Sequence, residues 1–277
     1  MNVQTAFQQA KYALPFFEAR ALLCRVLEVS PAVLVAHPGR ELNSEEQEAL
    51  NEFIERRRRG MPLAYLTGKR EFFGLEFVVS PAVLIPRPET ESLIEIALEK
   101  VQRRGRILDL GTGCGNVAIS IALARPRVQV IGVDVSAGAL AVARENANQL
   151  GASNLRWLQS DWFTGLANKV FDVIVANPPY VAEHDPHLEQ GDLRFEPKLA
   201  LLGGVDGLGS IRKIVEAPKH LAKDGWLIFE HGYDQAEACR KLLEENEFAG
   251  VFSADDLAGI PRVSGGQWRF SRRGATV

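Results

Sequence analysis

Ile107-Leu108-Asp109-Leu110-Gly111-Thr112-Gly113-Cys114-Gly115-Asn116 runs an apolar strand straight into a glycine-rich turn, and Val117 to Ala124 follows as an apolar helix. Glycines at such a junction permit a tight turn and let backbone N–H groups approach a ligand that any Cβ would hold off. Outward from this point the same alternation repeats. Val128 to Val133 is followed by a helix over Ala139 to Leu150, then come Leu155 to Leu158, Val170 to Ala176, and Trp226 to Phe229 with a helix over Gln235 to Leu243. Short apolar strands separated by helices predict a parallel sheet covered on both faces. Upstream, Val83-Leu84-Ile85 reads as extended and is stopped by Pro86-Arg87-Pro88, after which Leu93, Ile94, Ala97, Leu98 and Val101 mark a helix.

Further toward the N-terminus the periodicity is different. Phe73, Leu75, Phe77 and Val79 alternate around Gly74, which predicts a small hairpin linking two domains. Before it, Pro15 opens a helix carrying Phe16, Ala19, Leu23, Val26 and Leu27, and Ser44-Glu45-Glu46-Gln47 reads as a capping box ahead of Leu50, Phe53 and Ile54. Arg56 to Arg59 and Gly60 then close that second helix: the cations complement its negative end and the glycine supplies a left-handed terminator. A contact of these arginines with RNA or an acidic partner is the alternative. The expected division is a helical domain over 1–70, a hairpin linker over 71–86 and an α/β domain over 87–277 that carries the glycine-rich turn.

With 277 residues, 46% hydrophobic and 24% charged, the chain has the composition of an ordinary globular protein with a sizeable core. Its net charge of −3 provides no global basic field for a polyanion, so direct nucleic-acid binding is not expected. Cys24, Cys114 and Cys239 are dispersed and form no C-x-x-C pair, which argues against a zinc knuckle or a disulfide framework and fits a reducing, cytoplasmic setting. Neither an export signal nor a membrane span is legible. His184-x-x-His187 invites a metal reading, but Pro186 interrupts the helix that would align two ligands, so both are taken as loop residues and no metal is expected.

Asp134 closes the strand after the glycine turn, where a carboxylate can accept both hydroxyls of a ribose. The pair therefore reads as a site for an adenosine-containing cofactor. A dinucleotide fingerprint would need a third glycine at position 116, which is Asn116, and no phosphate-binding G-x-x-x-x-G-K-[ST] occurs. The spacing D-x-G-x-G-x-G resembles motif I of the class I S-adenosylmethionine-dependent methyltransferases. That resemblance implies that Asp109 and the loop Gly111, Thr112, Gly113, Cys114 and Gly115 hold the methionine end of the cofactor and Asp134 the ribose. Asp161, in Ser160-Asp161-Trp162-Phe163, would lie near the adenine, and Trp162 is a candidate for stacking.

Phe171-Asp172-Val173-Ile174-Val175-Ala176 ends abruptly in Asn177-Pro178-Pro179-Tyr180, placing polar groups at the carboxyl edge of the sheet, where α/β folds bind ligands. Asn-Pro-Pro-Tyr here is similar to the motif of methyltransferases that modify nitrogens attached to planar conjugated systems. Such a nitrogen has its lone pair delocalised and is a poor nucleophile. Two acceptors aimed at its N–H hydrogens raise its electron density, and the Asn177 side-chain oxygen with the Pro178 carbonyl can serve as that pair. Tyr180 can lie against the flat face of the group. Asn177 is also counted among the cofactor-binding candidates, beside the donor's methyl.

Over nearly its whole length the chain resembles the HemK/PrmC protein-(glutamine-N5) methyltransferases. The resemblance is carried by Leu66-Thr67-Gly68, Glu71-Phe72-Phe73-Gly74, Val83 to Glu91, Asp109 to Gly115, Ser160 to Phe163, Asn177 to Tyr180 and Glu230-His231-Gly232. It implies a Rossmann-like, mostly parallel seven-stranded sheet with a helical N-terminal domain. It also implies S-adenosylmethionine as cofactor and, as substrate, the glutamine of the Gly-Gly-Gln loop of class I peptide-chain release factors, with the helical domain helping to grip that protein and the enzyme acting as a monomer. Cys114 stands where the family more often has Thr or Ser, and its backbone is what matters there. Alternatives are a glutamine methyltransferase of a ribosomal protein, with identical chemistry, and an adenine-N6 nucleic-acid methyltransferase using the same four residues on a flipped base. Ser264-Gly265-Gly266-Gln267-Trp268 is a Gly-Gly-Gln of the chain's own, expected as a turn into a last strand over Gln267 to Phe270. His231 is expected to be structural.

Overall fold

The computed structural model describes residues 1–167 and 169–269. The chain forms two compact units, one of Met1–Lys69 with Glu189–Phe195, the other of the remaining described residues from Arg70 on.

The first unit is helical: α1 (Val3–Ala13), α2 (Phe16–Leu27), α3 (Pro31–Ala36), α4 (Ser44–Arg58) and α5 (Leu63–Thr67). Ala6, Ala10, Ala19, Leu22, Leu23 and Leu50 are almost fully buried between them. Small residues at helical spacing let α1 and α2 approach closely, and the leucines fill the seam. The capping box of α4 lies one residue earlier than the sequence predicts. Asn43 Oδ1 accepts from Glu46 N at 2.8 Å and Glu46 Oε2 accepts from Asn43 N at 2.9 Å, so Ser44 is the first helical residue. Asn and Ser are equally good caps, and the choice falls to the register that puts Glu46 three residues on. Gly60, at φ +95°, ends the segment as expected. Arg57 does more than complement a helix end: it donates through Nε and Nη2 to both Glu18 oxygens at 2.8 Å, tying α4 to α2.

The second unit begins within a hairpin of β1 (Lys69–Phe72) and β2 (Leu75–Val78). Phe73 and Gly74 both have positive φ and form its turn, which makes Phe72 and Phe77, rather than Phe73, the fully buried pair. Then follow α6 (Glu91–Lys100), β3 (Arg106–Leu110), α7 (Asn116–Ala124), β4 (Gln129–Asp134), α8 (Ala137–Leu150), β5 (Leu155–Gln159) and β6 (Phe171–Ala176). After these come α9 (Lys198–Leu201), α10 (Gly209–Ile214), β7 (Leu221–Glu230), α11 (Ala236–Glu245), β8 (Ala249–Asp255) and β9 (Pro261–Gln267). The sheet has seven strands in the order β5-β4-β3-β6-β7-β9-β8, parallel except for β9, which runs antiparallel to both neighbours. Ile107, Val130, Val173, Val175 and Ile228 belong to the core on one face, and Leu108, Leu110, Ile174, Leu227 and Phe229 to the core on the other. This two-sided burial is why the strands read as continuous apolar runs.

The chain's own Gly-Gly-Gln is the end of β9, not a turn into a later strand; Phe270 lies outside the described residues. A Cβ at Gly265 would stand 2.8 Å from the Leu227 carbonyl and from the Phe252 ring, and one at Gly266 would stand 2.8 Å from Phe248 Cβ. Crowding by the flanking elements, rather than turn geometry, requires the two glycines. Gln267 Nε2 donates to the Asp224 carbonyl at 3.0 Å. Among the described residues, no helix is long and apolar enough to cross a membrane.

Candidate active site

Strand order reverses between β3 and β6: one arm of the sheet grows from β3 through β4 to β5, the other from β6 through β7. Ligands bind outside the carboxyl ends of strands at such a point. A cavity of about 450 Å³ opens there, lined among others by Gly111, Thr112, Gly113 and Cys114 after β3, Asp134 at the end of β4, Ser160, Asp161 and Trp162 after β5, and Asn177 and Pro179 after β6. Its volume lies in the range of small-molecule sites, roughly 300–1,000 Å³.

Gly113 turns at φ +57° and lines the cavity, and a Cβ there would meet nothing within 4 Å, so its side-chain direction is open. The Gly113 N–H donates to Asp134 Oδ2 at 2.9 Å, while Ser136 N donates to Oδ1 at 2.9 Å. Each carboxylate oxygen keeps further lone-pair capacity for hydroxyls. Burial raises the pKa of Asp134, and the backbone donors oppose the rise. Gly115, at φ +82°, starts α7 and does not line the cavity; its missing Cβ makes room for Ile119 and Trp157.

Asp109 lies beneath the loop, 1% exposed and outside the cavity lining, and accepts from Thr112 Oγ1 at 2.5 Å. Burial, chiefly, pushes it up to about 7, with the Thr112 hydroxyl and the Ala118 N–H opposing. Its position braces the turn. Cys114 is buried, its thiol pushed up to about 12, and its carbonyl accepts from Asn146 Nδ2 at 2.9 Å, so the loop is held through its backbone. Trp162 is half-buried on the cavity wall with φ +48°, a conformation that costs a non-glycine residue about 1–2 kcal/mol.

On the other wall, Asn177 Nδ2 donates to Thr90 Oγ1 at 3.0 Å, and Thr90 Oγ1 donates to Glu230 Oε2 at 2.6 Å. Tyr180 Oη donates to the second Glu230 oxygen at 3.0 Å. Tyr180 and Pro178 do not line the cavity, and the Tyr180 ring packs beside the core. Burial pushes Glu230 up to about 7, the Thr90, Tyr180 and Arg262 groups opposing, and it raises the Tyr180 phenol. Thr90 and Glu230 were singled out by the sequence only as family signature; they come together from positions 140 apart. Arg87 also lines the cavity and is ion-paired to the buried Glu196, which in turn accepts from Ile85 N at 3.1 Å.

His231 is fully buried, with Nδ1 2.8 Å from the Gly232 carbonyl and Nε2 2.9 Å from Ser264 Oγ. A carbonyl only accepts, so Nδ1 carries the proton and Nε2 accepts from the serine. Its pKa is lowered by burial, and it ties β7 to β9. His187 Nδ1 pairs with Asp185 Oδ1 at 2.6 Å, and no cluster able to hold a metal is found among the described residues.

Strand order and a cleft built from the ends of β3 to β6 define a class I methyltransferase domain. Among solved structures, a methyltransferase from Pyrococcus furiosus shares this fold, with a TM-score of 0.56, 19% identity and coverage of 72% of this chain and 91% of that one. Residues 89–192 match the methyltransferase small domain and residues 2–68 the PrmC N-terminal domain. A release factor glutamine methyltransferase from Vibrio cholerae is 44% identical over 96% of this chain and 94% of its own length. The one from Bordetella pertussis is 49% identical over 91% and 95%. The chain belongs to the release factor glutamine methyltransferase family. The cofactor of that family is S-adenosylmethionine, and the residues present fit it: an acid for the ribose, a glycine backbone open to the cleft, and an aromatic wall.

Proposed function

We propose that this protein transfers a methyl group from S-adenosylmethionine to the side-chain amide nitrogen (N5) of the glutamine in the Gly-Gly-Gln loop of class I peptide-chain release factors. The carrying observation is Asn177: it stands at the cleft, just past the end of β6, the strand paired with the one that leads into the glycine turn, with its Nδ2 already committed to Thr90. When bound, S-adenosylmethionine supplies an electrophilic sulfonium methyl. The protein's task is to make an amide nitrogen nucleophilic beside it. Asn177 Oδ1, at the cleft, and the Pro178 carbonyl, on the turn that follows it and outside the lining of the ligand-free cavity, accept the two N–H hydrogens once the glutamine is seated, raising electron density on nitrogen and favouring pyramidal geometry. Tyr180, fixed by Glu230 and Gln235, stiffens the turn that carries both acceptors. After transfer the nitrogen loses one hydrogen as a proton to water, so no strong base is needed. Asp134 takes the ribose hydroxyls, Asp161 and Trp162 the adenine, and Gly111 to Cys114 the methionine end, with Asp109 and Gly115 shaping that turn. The helical unit helps to grip the protein substrate.

Labelled S-adenosylmethionine is offered to the purified protein with a class I release factor, ribosomal proteins or an adenine-containing oligonucleotide. Label on the glutamine of the release factor's Gly-Gly-Gln is expected; label on either of the others instead would replace this reading. Asn177→Ala should lower turnover on the order of a hundredfold while leaving cofactor affinity nearly unchanged. An unchanged rate removes the acceptor role.

A further inference from the structure

We propose that Thr90 and Glu230 are positioning residues that fix which end of the Asn177 carboxamide meets the substrate. The inference rests on the acceptor role given to Asn177 above. A carboxamide is nearly symmetric in shape, and only its hydrogen-bond partners distinguish its oxygen from its nitrogen. Turned the wrong way, Asn177 would present N–H groups to the N–H groups of the glutamine. Thr90 has one hydroxyl proton, and at 2.6 Å it goes to Glu230. Its oxygen then offers only lone pairs toward Asn177 at 3.0 Å, which the Nδ2 end alone can use. Oδ1 is thereby left for the cleft.

This logic holds while Glu230 is a carboxylate. Both of its oxygens accept, one from Thr90 and one from Tyr180. If Glu230 takes up a proton and donates it to Thr90, the threonine hydroxyl is released to donate toward Asn177, and the preference of the amide reverses. The charged groups around Glu230 are Arg262 on β9, which favours the carboxylate, and Glu89 beside Thr90, which disfavours it; the adjacent His231 is held neutral by burial. Burial places the transition at about 7. Methyl transfer therefore requires the deprotonated relay and should weaken as pH falls through that value.

The test compares single-turnover rates on a release factor, with saturating S-adenosylmethionine, for wild type, Thr90→Val, Thr90→Ser, Glu230→Gln and Asn177→Ala across about one pH unit on either side of the transition. The wild-type rate should fall roughly tenfold toward acid, because reversing a hydrogen-bond preference shifts the amide equilibrium by that order. Thr90→Val, which cannot transmit either preference, should be several-fold slower at the alkaline end and flat across the range. Glu230→Gln should also be flat. Thr90→Ser should follow wild type. Cofactor affinity, measured by calorimetry, should stay within about twofold throughout. A Thr90→Val rate parallel to wild type, or a Glu230→Gln variant that keeps the inflection, overturns the proposal; should Thr90→Val not fold, the Glu230→Gln profile decides alone. If Asn177→Ala is itself fully active, the acceptor reading fails, whereas loss in Asn177→Ala with no change in the other variants sinks only the relay.

Discussion

Gly113 and Gly115 are two residues apart, share left-handed backbone, and answer to different constraints. In Gly115→Ala the new Cβ would stand 2.9 Å from Ile119 Cδ1, 3.0 Å from Trp157 Cη2 and 3.2 Å from Ala143 Cβ, at φ +82°. The backbone conformation costs about 1–2 kcal/mol and overpacking a further ~1–3 kcal/mol, so a loss of about 2–5 kcal/mol is expected. That is a large part of the ~5–15 kcal/mol that holds a typical domain folded. In Gly113→Ala, at φ +57°, nothing lies within 4 Å of the new methyl, so only the conformational cost of about 1–2 kcal/mol applies. The methyl instead enters the cleft and displaces a ligand that must approach the backbone. Urea unfolding without cofactor reports the first quantity, and calorimetric titration with S-adenosylmethionine reports the second. Gly115→Ala should lose more stability, and Gly113→Ala should lose roughly tenfold or more in cofactor affinity. If Gly113→Ala destabilises as much as Gly115→Ala and binds the cofactor like wild type, the division between a packing glycine and a ligand-facing glycine is wrong.

Asn43→Ala removes one half of the reciprocal cap on α4 and should cost about 1 kcal/mol in urea unfolding, whereas Ser44→Ala should cost little; a larger loss at Ser44 would restore it as the cap. Phe77→Ala empties a fully buried site in the core and should cost about 3–5 kcal/mol, visible as a lower midpoint with an unchanged denaturant slope. Glu230, raised from 4.5 to about 7, keeps a proton in the folded protein that the unfolded chain releases earlier. Its contribution to stability is full below about 4.5 and disappears as pH rises through about 7. Glu230→Gln should therefore gain stability relative to wild type as pH rises from about 4.5 to about 7 and level off above that, and a difference that does not vary across this window would contradict the buried carboxylate.

The cleft is readable in the sequence where a candidate site residue closes an apolar strand. Asp134 ends β4 and Asn177 follows β6, so strand periodicity alone delivers them to the same edge of the sheet. The relay was not readable in this way. Thr90 sits in a short 3₁₀ turn and Glu230 at the end of β7, and only the strand order brings them together. Tyr180 is expected from the sequence to lie against the flat face of the substrate group; the partner of its hydroxyl, a carboxylate at the end of β7, is supplied only by the strand order. Gly265-Gly266 read as a turn because glycine pairs usually punctuate. In β9 they answer instead to close approach by Leu227, Phe252 and Phe248, a constraint that depends on packing across the fold.

β3 and β6 are neighbours in register, with Leu110 opposite Ala176, so the glycine turn and Asn177 spring from adjoining rungs of one hydrogen-bonded ladder. Neighbouring strands are about 4.8 Å apart and cannot drift independently. With the glycine turn at the donor and Asn177 at the acceptor, as proposed above, the span between the two is a property of the β-ladder itself, insulated from whatever is grafted onto the surrounding loops. A lineage could exchange one protein client for another by rewriting those loops or the helical appendage, and the reacting atoms would still be delivered to the same place.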